Sequence, residues 1–226
     1  MSSNKLTSPY TDTELYSRIL LQAKDINNDI YITLKNNLKR KVEKKCSKYG
    51  YITKVYRLLN YNDGEIPAEN FDASVIFNIK YSCRLCYPTS ESNIICNVDL
   101  LNKSLIKASN GPIICIISLN RINTDVFNID NKGDIIHIDT NHLVTSNDKI
   151  IVNIKGINFF PNDERIVVLG HLNNIATDKE INDYYNNENF NIENIVDEVN
   201  DLNINDSQSD NDNQTDDYNN NNYLNL

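Results

Sequence analysis

Five cysteines and three histidines are the side chains of this 226-residue chain best suited to metal or redox chemistry. Cys83-x-x-Cys86 has the spacing of half a zinc site or of a dithiol pair. Both residues lie in an extended apolar run, however, where an offset of three residues turns side chains to opposite faces. A structural zinc site needs four ligands, usually as two close pairs. Cys96 and Cys115 stand alone, and His137, His142 and His171 show no ligand spacing. An odd number of cysteines scattered through apolar runs fits reduced, buried thiols better than a disulfide framework. The chain is expected to hold no metal, to need no cofactor and to catalyse no reaction.

The other candidates are cations, and their placement matters more than their number. The net charge is -9, but residues 181–226 hold 11 acids, 16 asparagines and no Lys or Arg. Residues 1–180 carry 22 basic and 20 acidic side chains, so the folded part is near neutral. An acidic chain normally argues against a nucleic-acid partner. Here the acidity is segregated and that argument fails. Lys35, Lys39, Arg40, Lys41, Lys44, Lys45 and Lys48 crowd one short segment. Such a face can meet phosphate or an acidic partner, but the commoner explanation is a solvated helix surface, and that is the expectation for it.

The elements that must position these groups fall into three regions. In residues 11–88, a short apolar run at Ile19-Leu20-Leu21 precedes a helix capped at Asn28 or Asp29, with Ile30, Leu34, Leu38, Val42 and Cys46 as its buried stripe. A strand from Tyr49 to Leu59 ends in the turn-forming cluster Asn60 to Gly64. A second strand alternates Val75, Phe77, Ile79, Tyr81 and Cys83 against Ser74, Asn78, Lys80 and Ser82. This is a small α+β unit.

Residues 89–176 read as strands at 93–98, 105–108, 113–118, 149–157 and 165–170, with turns at Gly111-Pro112 and Pro161-Asn162-Asp163. Five short strands suit an OB-type barrel, with a sandwich fragment as the alternative. Residues 123–148 form the long excursion between its third and fourth strands, with local structure around Ile135–Ile138 and Leu143. Residues 177–226 are rich in Asn and Asp, and Tyr184, Phe190, Ile195 and Val199 are too sparse to offset the entropy of ordering. A disordered acidic tail is expected there, with Ile192 to Leu202 able to become helical on a partner. No apolar run of ~18 residues is present, and Ser2-Ser3-Asn4-Lys5 after Met1 is polar. A soluble intracellular protein without membrane contact is expected.

The succession of a lysine-rich helix, Lys48-Tyr49-Gly50-Tyr51-Ile52, a turn at Asp63-Gly64-Glu65-Ile66-Pro67, a strand ending Ile79-Lys80-Tyr81, Pro88 and a barrel with Gly111-Pro112 resembles the seventh subunit of DNA-directed RNA polymerase II. That family includes the archaeal stalk subunit and related viral subunits. Residues 149–156 and 167–171 resemble its two closing barrel strands. The resemblance covers about residues 11–176 and implies an RNP-like amino-terminal unit followed by an OB-fold.

By position, the resemblance implies that Lys24 and Asp25, with the rest of the loop to Asp29, and Asp63, Gly64, Glu65, Ile66 and Pro67 wedge against the polymerase core beside the clamp. The expected partners are core subunits and a second small stalk subunit, and the expected role is support of initiation and guidance of the transcript. At the place where the family usually carries Gly-Phe-Phe this chain has Leu105-Ile106-Lys107. Stacking contributes ~1–3 kcal/mol per base, so only weak, salt-sensitive single-stranded RNA binding is expected, through Lys103, Lys107, Arg121 and Lys149. The abundance of Asn, Ile, Lys, Tyr and Asp suggests an A+T-rich genome, such as that of a large DNA virus. A viral copy would work in the host cytoplasm or virion, a cellular one in the nucleus. The competing functions are a freestanding OB-fold RNA-binding protein and an adaptor acting through its acidic tail.

Overall fold

A computed structural model of the chain describes residues 5–26, 28–68, 74–130 and 133–186. The expected helix is present as α1 (Ile30–Val42), with Leu34 and Leu38 fully buried and Ile30 and Val42 packed beside them. It covers one face of an antiparallel sheet of order β1-β4-β3-β2, made of β1 (Tyr10–Gln22), β2 (Lys45–Ser47), β3 (Gly50–Tyr61) and β4 (Ser74–Cys86). Leu15, Ile19, Ile52, Val55, Phe77, Ile79 and Tyr81 complete the core beneath the helix.

Three features differ from the expectation. The run Ile19–Leu21 is the end of a 13-residue edge strand, paired without a break from Tyr10 opposite Cys86 to Gln22 opposite Ser74. Its polar half, Thr11 to Glu14, hides it from a hydrophobicity reading. Cys46 is not part of the helical stripe. Helix α1 stops at Val42, Lys44 adopts a left-handed φ of 59°, and the reversed chain places Cys46 on β2 in the other core. Finally, β3 shifts register against β4 three times, at Ile52/Lys54, Val55/Arg57 and Leu58/Asn60. Such bulges interrupt alternation and increase twist.

The second core fills a closed barrel of order β5-β6-β7-β11-β10, formed by β5 (Asn93–Leu101), β6 (Leu105–Asn110), β7 (Ile113–Ser118), β10 (Lys149–Asn158) and β11 (Ile166–Ile175). Neighbours are antiparallel except β7 and β11, which run parallel from Ile113 opposite Ile166. This connectivity fits the OB type. Gly170 allows closure, because a Cβ there would collide with Val152 Cγ1 and Cys115 Sγ inside the barrel. The excursion holds a small hairpin of β8 (Phe127–Ile129) and β9 (Ile135–His137), and Leu143 bridges to Ile136. Phe127, Ile135 and Val144 from it join the barrel core.

Sheet and barrel share a seam. Cys83 and Cys86 do face opposite ways: the first belongs to the helix-covered core and the second to the barrel core, beside Cys46. Cys46 N–H donates to the Asp163 carbonyl at 2.7 Å, Asn162 N–H donates back to Cys46 at 2.8 Å, and Tyr87 N–H reaches the Pro9 carbonyl at 2.8 Å.

The ordered chain also runs past the boundary expected at residue 177. Residues 178–186 are helical, and Tyr184 is buried against Ile95, Ile151 and Ala176 on the outer barrel wall. Thr177 and Glu180 form a reciprocal cap: Thr177 N–H donates to Glu180 Oε2 at 2.9 Å and Glu180 N–H to Thr177 Oγ1 at 3.4 Å. Tyr184 adds a bond from Asn110 Nδ2 at 3.3 Å. One aromatic anchor with a capping box orders this turn despite its polar composition. Residues 187–226, with Phe190, Ile195, Val199 and the segment 192–202, lie outside the described residues.

Candidate functional site

The sheet brings the two expected docking loops to one end. Gln22, the last residue of β1, pairs with Ser74, the first of β4, and the 3-10 turn Ala23–Asp25 follows directly. From the other side, β3 ends at Tyr61 opposite Ile79, and Glu65 then makes an isolated bridge to Ile76 with both backbone bonds at 2.8 Å. Lys24, Asp25, Asp63, Gly64, Glu65, Ile66 and Pro67 therefore lie together at the end of the sheet away from the barrel. Thirteen extended residues at ~3.3 Å each put this tip roughly 40 Å from the seam.

The loop is held rigidly. Gly64 has φ +89°, and a Cβ there would come within 2.6 Å of Val75 Cγ1 and 3.0 Å of the Phe77 ring. Glu65 Oε1 accepts from Asn62 Nδ2 at 3.2 Å and Asn78 Nδ2 at 3.3 Å. Spent on these bonds, Glu65 shapes the loop, while Ile66 is left 72% exposed, with exposed Ile26 in the neighbouring loop and Leu20 on β1. Three exposed aliphatic side chains at one tip make an apolar contact surface.

The four expected RNA contacts are brought together only in part. Leu105 pairs with Ser118, so Lys103 in the β5–β6 turn and Arg121 just after β7 lie at one end of that strand pair, and Lys107 projects outward two residues along, opposite Ile116. Lys149 is elsewhere, at the start of β10 opposite Asn97, with Nζ 5.1 Å from the Tyr185 ring centroid. That cation lies against the helix over residues 178–186, away from the other three. Ile106 is fully buried, and no exposed aromatic stands on β5, β6 or β7 among the described residues. The barrel wall has charges but no stacking platform.

The titratable groups favour structure over catalysis. Burial, reinforced by Asp12, pushes the Cys83 thiol up to about 12, and burial with Asp163 nearby pushes Cys46 to about 11. All five cysteines are buried, and thiols held protonated, as those of Cys46 and Cys83 are, make poor nucleophiles. Tyr56 is raised to about 12 by burial and by its bond to Asp12 Oδ1 at 2.9 Å, which ties β3 to β1 across the sheet. Among the described residues, no group of three or more His, Cys, Asp or Glu side chains could hold a metal ion.

One cleft was not anticipated. About 520 Å³ in volume, it lies over the β5–β10–β11 seam and is lined by five asparagines and His171 together with Glu91, Lys155 and Glu180 and the apolar Val126 and Ile151. Asn93 Oδ1 accepts from Asn153 Nδ2 at 2.8 Å and from Asn173 Nδ2 at 3.0 Å, so the amides mainly bind one another and lock the seam. Their numbers, 93, 153 and 173, are too far apart for a local pattern to reveal the cluster.

No family model matches the chain. A curated protein of Acanthamoeba polyphaga mimivirus, named "Putative DNA-directed RNA polymerase subunit L376", is 32% identical to it over 181 residues, which is 80% of this chain and 90% of that protein. The chain belongs to this viral RNA polymerase subunit family. An alignment of that length exceeds the barrel and everything after it, so family membership takes in the sheet as well. Among the described residues, no helix is long and apolar enough to cross a membrane.

Proposed function

We propose that this chain is a non-catalytic stalk subunit of a DNA-directed RNA polymerase, the counterpart of the seventh subunit of RNA polymerase II, and that it plugs into the core through its sheet tip. The observation that carries this reading is the gathering of the 24–25 and 63–67 loops at the end of the sheet remote from the barrel, with Ile66 exposed and Gly64 fixing the loop around it. A tip of this kind transmits force to the core only if the sheet is stiff, and the Tyr56–Asp12 bond and the shared seam supply stiffness. The barrel then stands outward near the emerging transcript, where Lys103, Lys107 and Arg121 add only weak, salt-sensitive attraction. A second small stalk subunit pairs with the RNP-like unit, and docking supports the closed clamp during initiation. The work is done in the host cytoplasmic replication site or with enzymes packaged in the virion, as suits a viral family.

Affinity purification of the tagged full-length chain from cells in which its polymerase is active tests the reading. The two largest polymerase subunits should be recovered with it. Recovery of RNA alone, without those subunits, would instead make it a freestanding RNA-binding protein.

A further inference from the structure

The positive charge of the folded chain is concentrated where the sequence reading expected an ordinary solvated face. Residues 30–50 carry seven cations against one acid, whereas the rest of residues 1–180 carry 15 cations against 19 acids. That acid, Glu43, already accepts the Val55 N–H at 2.7 Å. Among the described residues the ion pairs are Lys80 with Glu14, Lys155 with Glu91 and His142 with Asp148, so none engages this cluster. Helix polarity explains part of it, because Lys39, Arg40 and Lys41 occupy the last turn of α1, where cations are favoured. Lys44, Lys45 and Lys48 follow the helix and have no such reason.

Folding places these lysines beside aromatic rings. A groove of about 220 Å³ is lined by Lys41, Lys45, Lys48 and Tyr49, by Tyr16 on β1, and by the barrel turn at Pro161 and Asn162. Tyr16 is 75% exposed and Tyr49 49%, and Lys48 Nζ lies 4.7 Å from the Tyr49 ring centroid. The groove is smaller than the ~300–1,000 Å³ pockets that engulf small ligands. Its size suits a chain passing over the surface better than an engulfed small molecule. Cations outside ion pairs and exposed rings among them are the two features single-strand recognition requires. Among the described residues, Lys41 Nζ donates only to the neutral Arg18 carbonyl and Lys48 lies over Tyr49, so both keep their charge at the surface, whereas the β6–β7 wall has no rings.

We infer that single-stranded RNA binds in the groove between the α1–β2–β3 turn and the β10–β11 turn, on Lys41, Lys45, Lys48, Tyr49 and Tyr16, and not primarily on the barrel wall. That this RNA is the transcript rests on the polymerase reading above. A single strand fits better than a duplex because its bases are free to leave their own stack and meet Tyr49.

Fluorescence anisotropy of the purified full-length chain with a labelled 12-nucleotide RNA tests the site. Joint replacement of Lys41, Lys45 and Lys48 by Ala should weaken binding about tenfold and flatten the plot of log K against log salt by about 2, as loss of three phosphate contacts requires. The corresponding Arg variant should bind as wild type, which separates charge from folding. Tyr49→Ala should lose about tenfold and Tyr49→Phe nearly nothing. Joint Lys103→Ala and Lys107→Ala should change Kd less than threefold. Wild-type affinity in the triple Ala variant, displacement by polyglutamate as efficient as by unlabelled RNA, or no binding by the wild type at low salt would each overturn the inference. Polymerase capture by the triple Ala variant should be normal, and RNA binding in the groove without polymerase capture by the wild type would sink the stalk reading alone.

Discussion

The helix-covered sheet and the barrel are built from strands of similar composition, yet they spend their side chains differently. The barrel turns Ile94, Ile106, Ile113, Ile117, Ile150 and Val168 inward and leaves few aromatics outside. The sheet keeps a thin core under α1 and exposes Tyr16, Leu20, Tyr49, Tyr61 and Ile66. A closed barrel satisfies its own edges. An open sheet with a 13-residue edge strand is a surface waiting for partners. In the proposed function the barrel serves as a support and the sheet as the interacting part, although an OB-type barrel alone would invite the opposite assignment.

The largest effect should come from the thin core. Leu38→Ala removes a fully buried side chain from helix α1, which covers the sheet, and should cost ~2–5 kcal/mol, measured by urea unfolding. Because Cys46 and Cys86 join the sheet to the barrel core, the variant should still unfold in one transition. Two separated transitions would break the view that both regions form one cooperative body. Gly170→Ala tests the barrel side, where the new methyl group meets Val152 and Cys115. Overpacking of this sort should cost ~1–3 kcal/mol. A gain in stability would mean that closure does not depend on Gly170.

A smaller effect is expected from Asp148. Burial opposes its ionisation, but Thr145 N–H at 2.7 Å, the Thr145 hydroxyl and His142 Nε2 at 3.0 Å hold its carboxyl below the usual range. With the folded pKa depressed, the stability it contributes is complete above the unfolded carboxylate range near ~4 and is lost as pH falls through the folded value. Asp148→Asn should therefore flatten part of the acid limb of the stability curve, measured by thermal melts between pH 2 and 5. Unchanged acid sensitivity would remove Asp148 from the account.

The same contrast governs what could be read in the sequence. Helix α1 announced itself through Ile30, Leu34, Leu38 and Val42, since a single buried stripe repeats every four residues. The barrel strands were legible because each is short and bounded by turn residues. Cys83 and Cys86 could be assigned to opposite faces from strand periodicity alone. Strand β1 escaped because an edge strand with one solvated face shows little alternation in its first half. The helix over residues 178–186 escaped because Asn and Asp dominate its neighbourhood, although Thr177-x-x-Glu180 is a legible cap. The expectation of docking at residues 24–25 and 63–67 came from a family resemblance, not from the chemistry of those loops. The groove could not be seen at all, because Tyr16, Lys48 and Asn162 meet only through long-range folding.

The central claim is that the sheet tip is what holds this chain to its polymerase. Tagged full-length protein carrying Ile66→Asp, compared with Leu100→Asp at an exposed position on the barrel, tests it directly by quantitative mass spectrometry of co-purified proteins. Each change should shift stability by less than ~0.5 kcal/mol, as exposed substitutions do. The account predicts that the two largest polymerase subunits are lost with Ile66→Asp and kept with Leu100→Asp. Equal recovery with both, or loss only with Leu100→Asp, would contradict it.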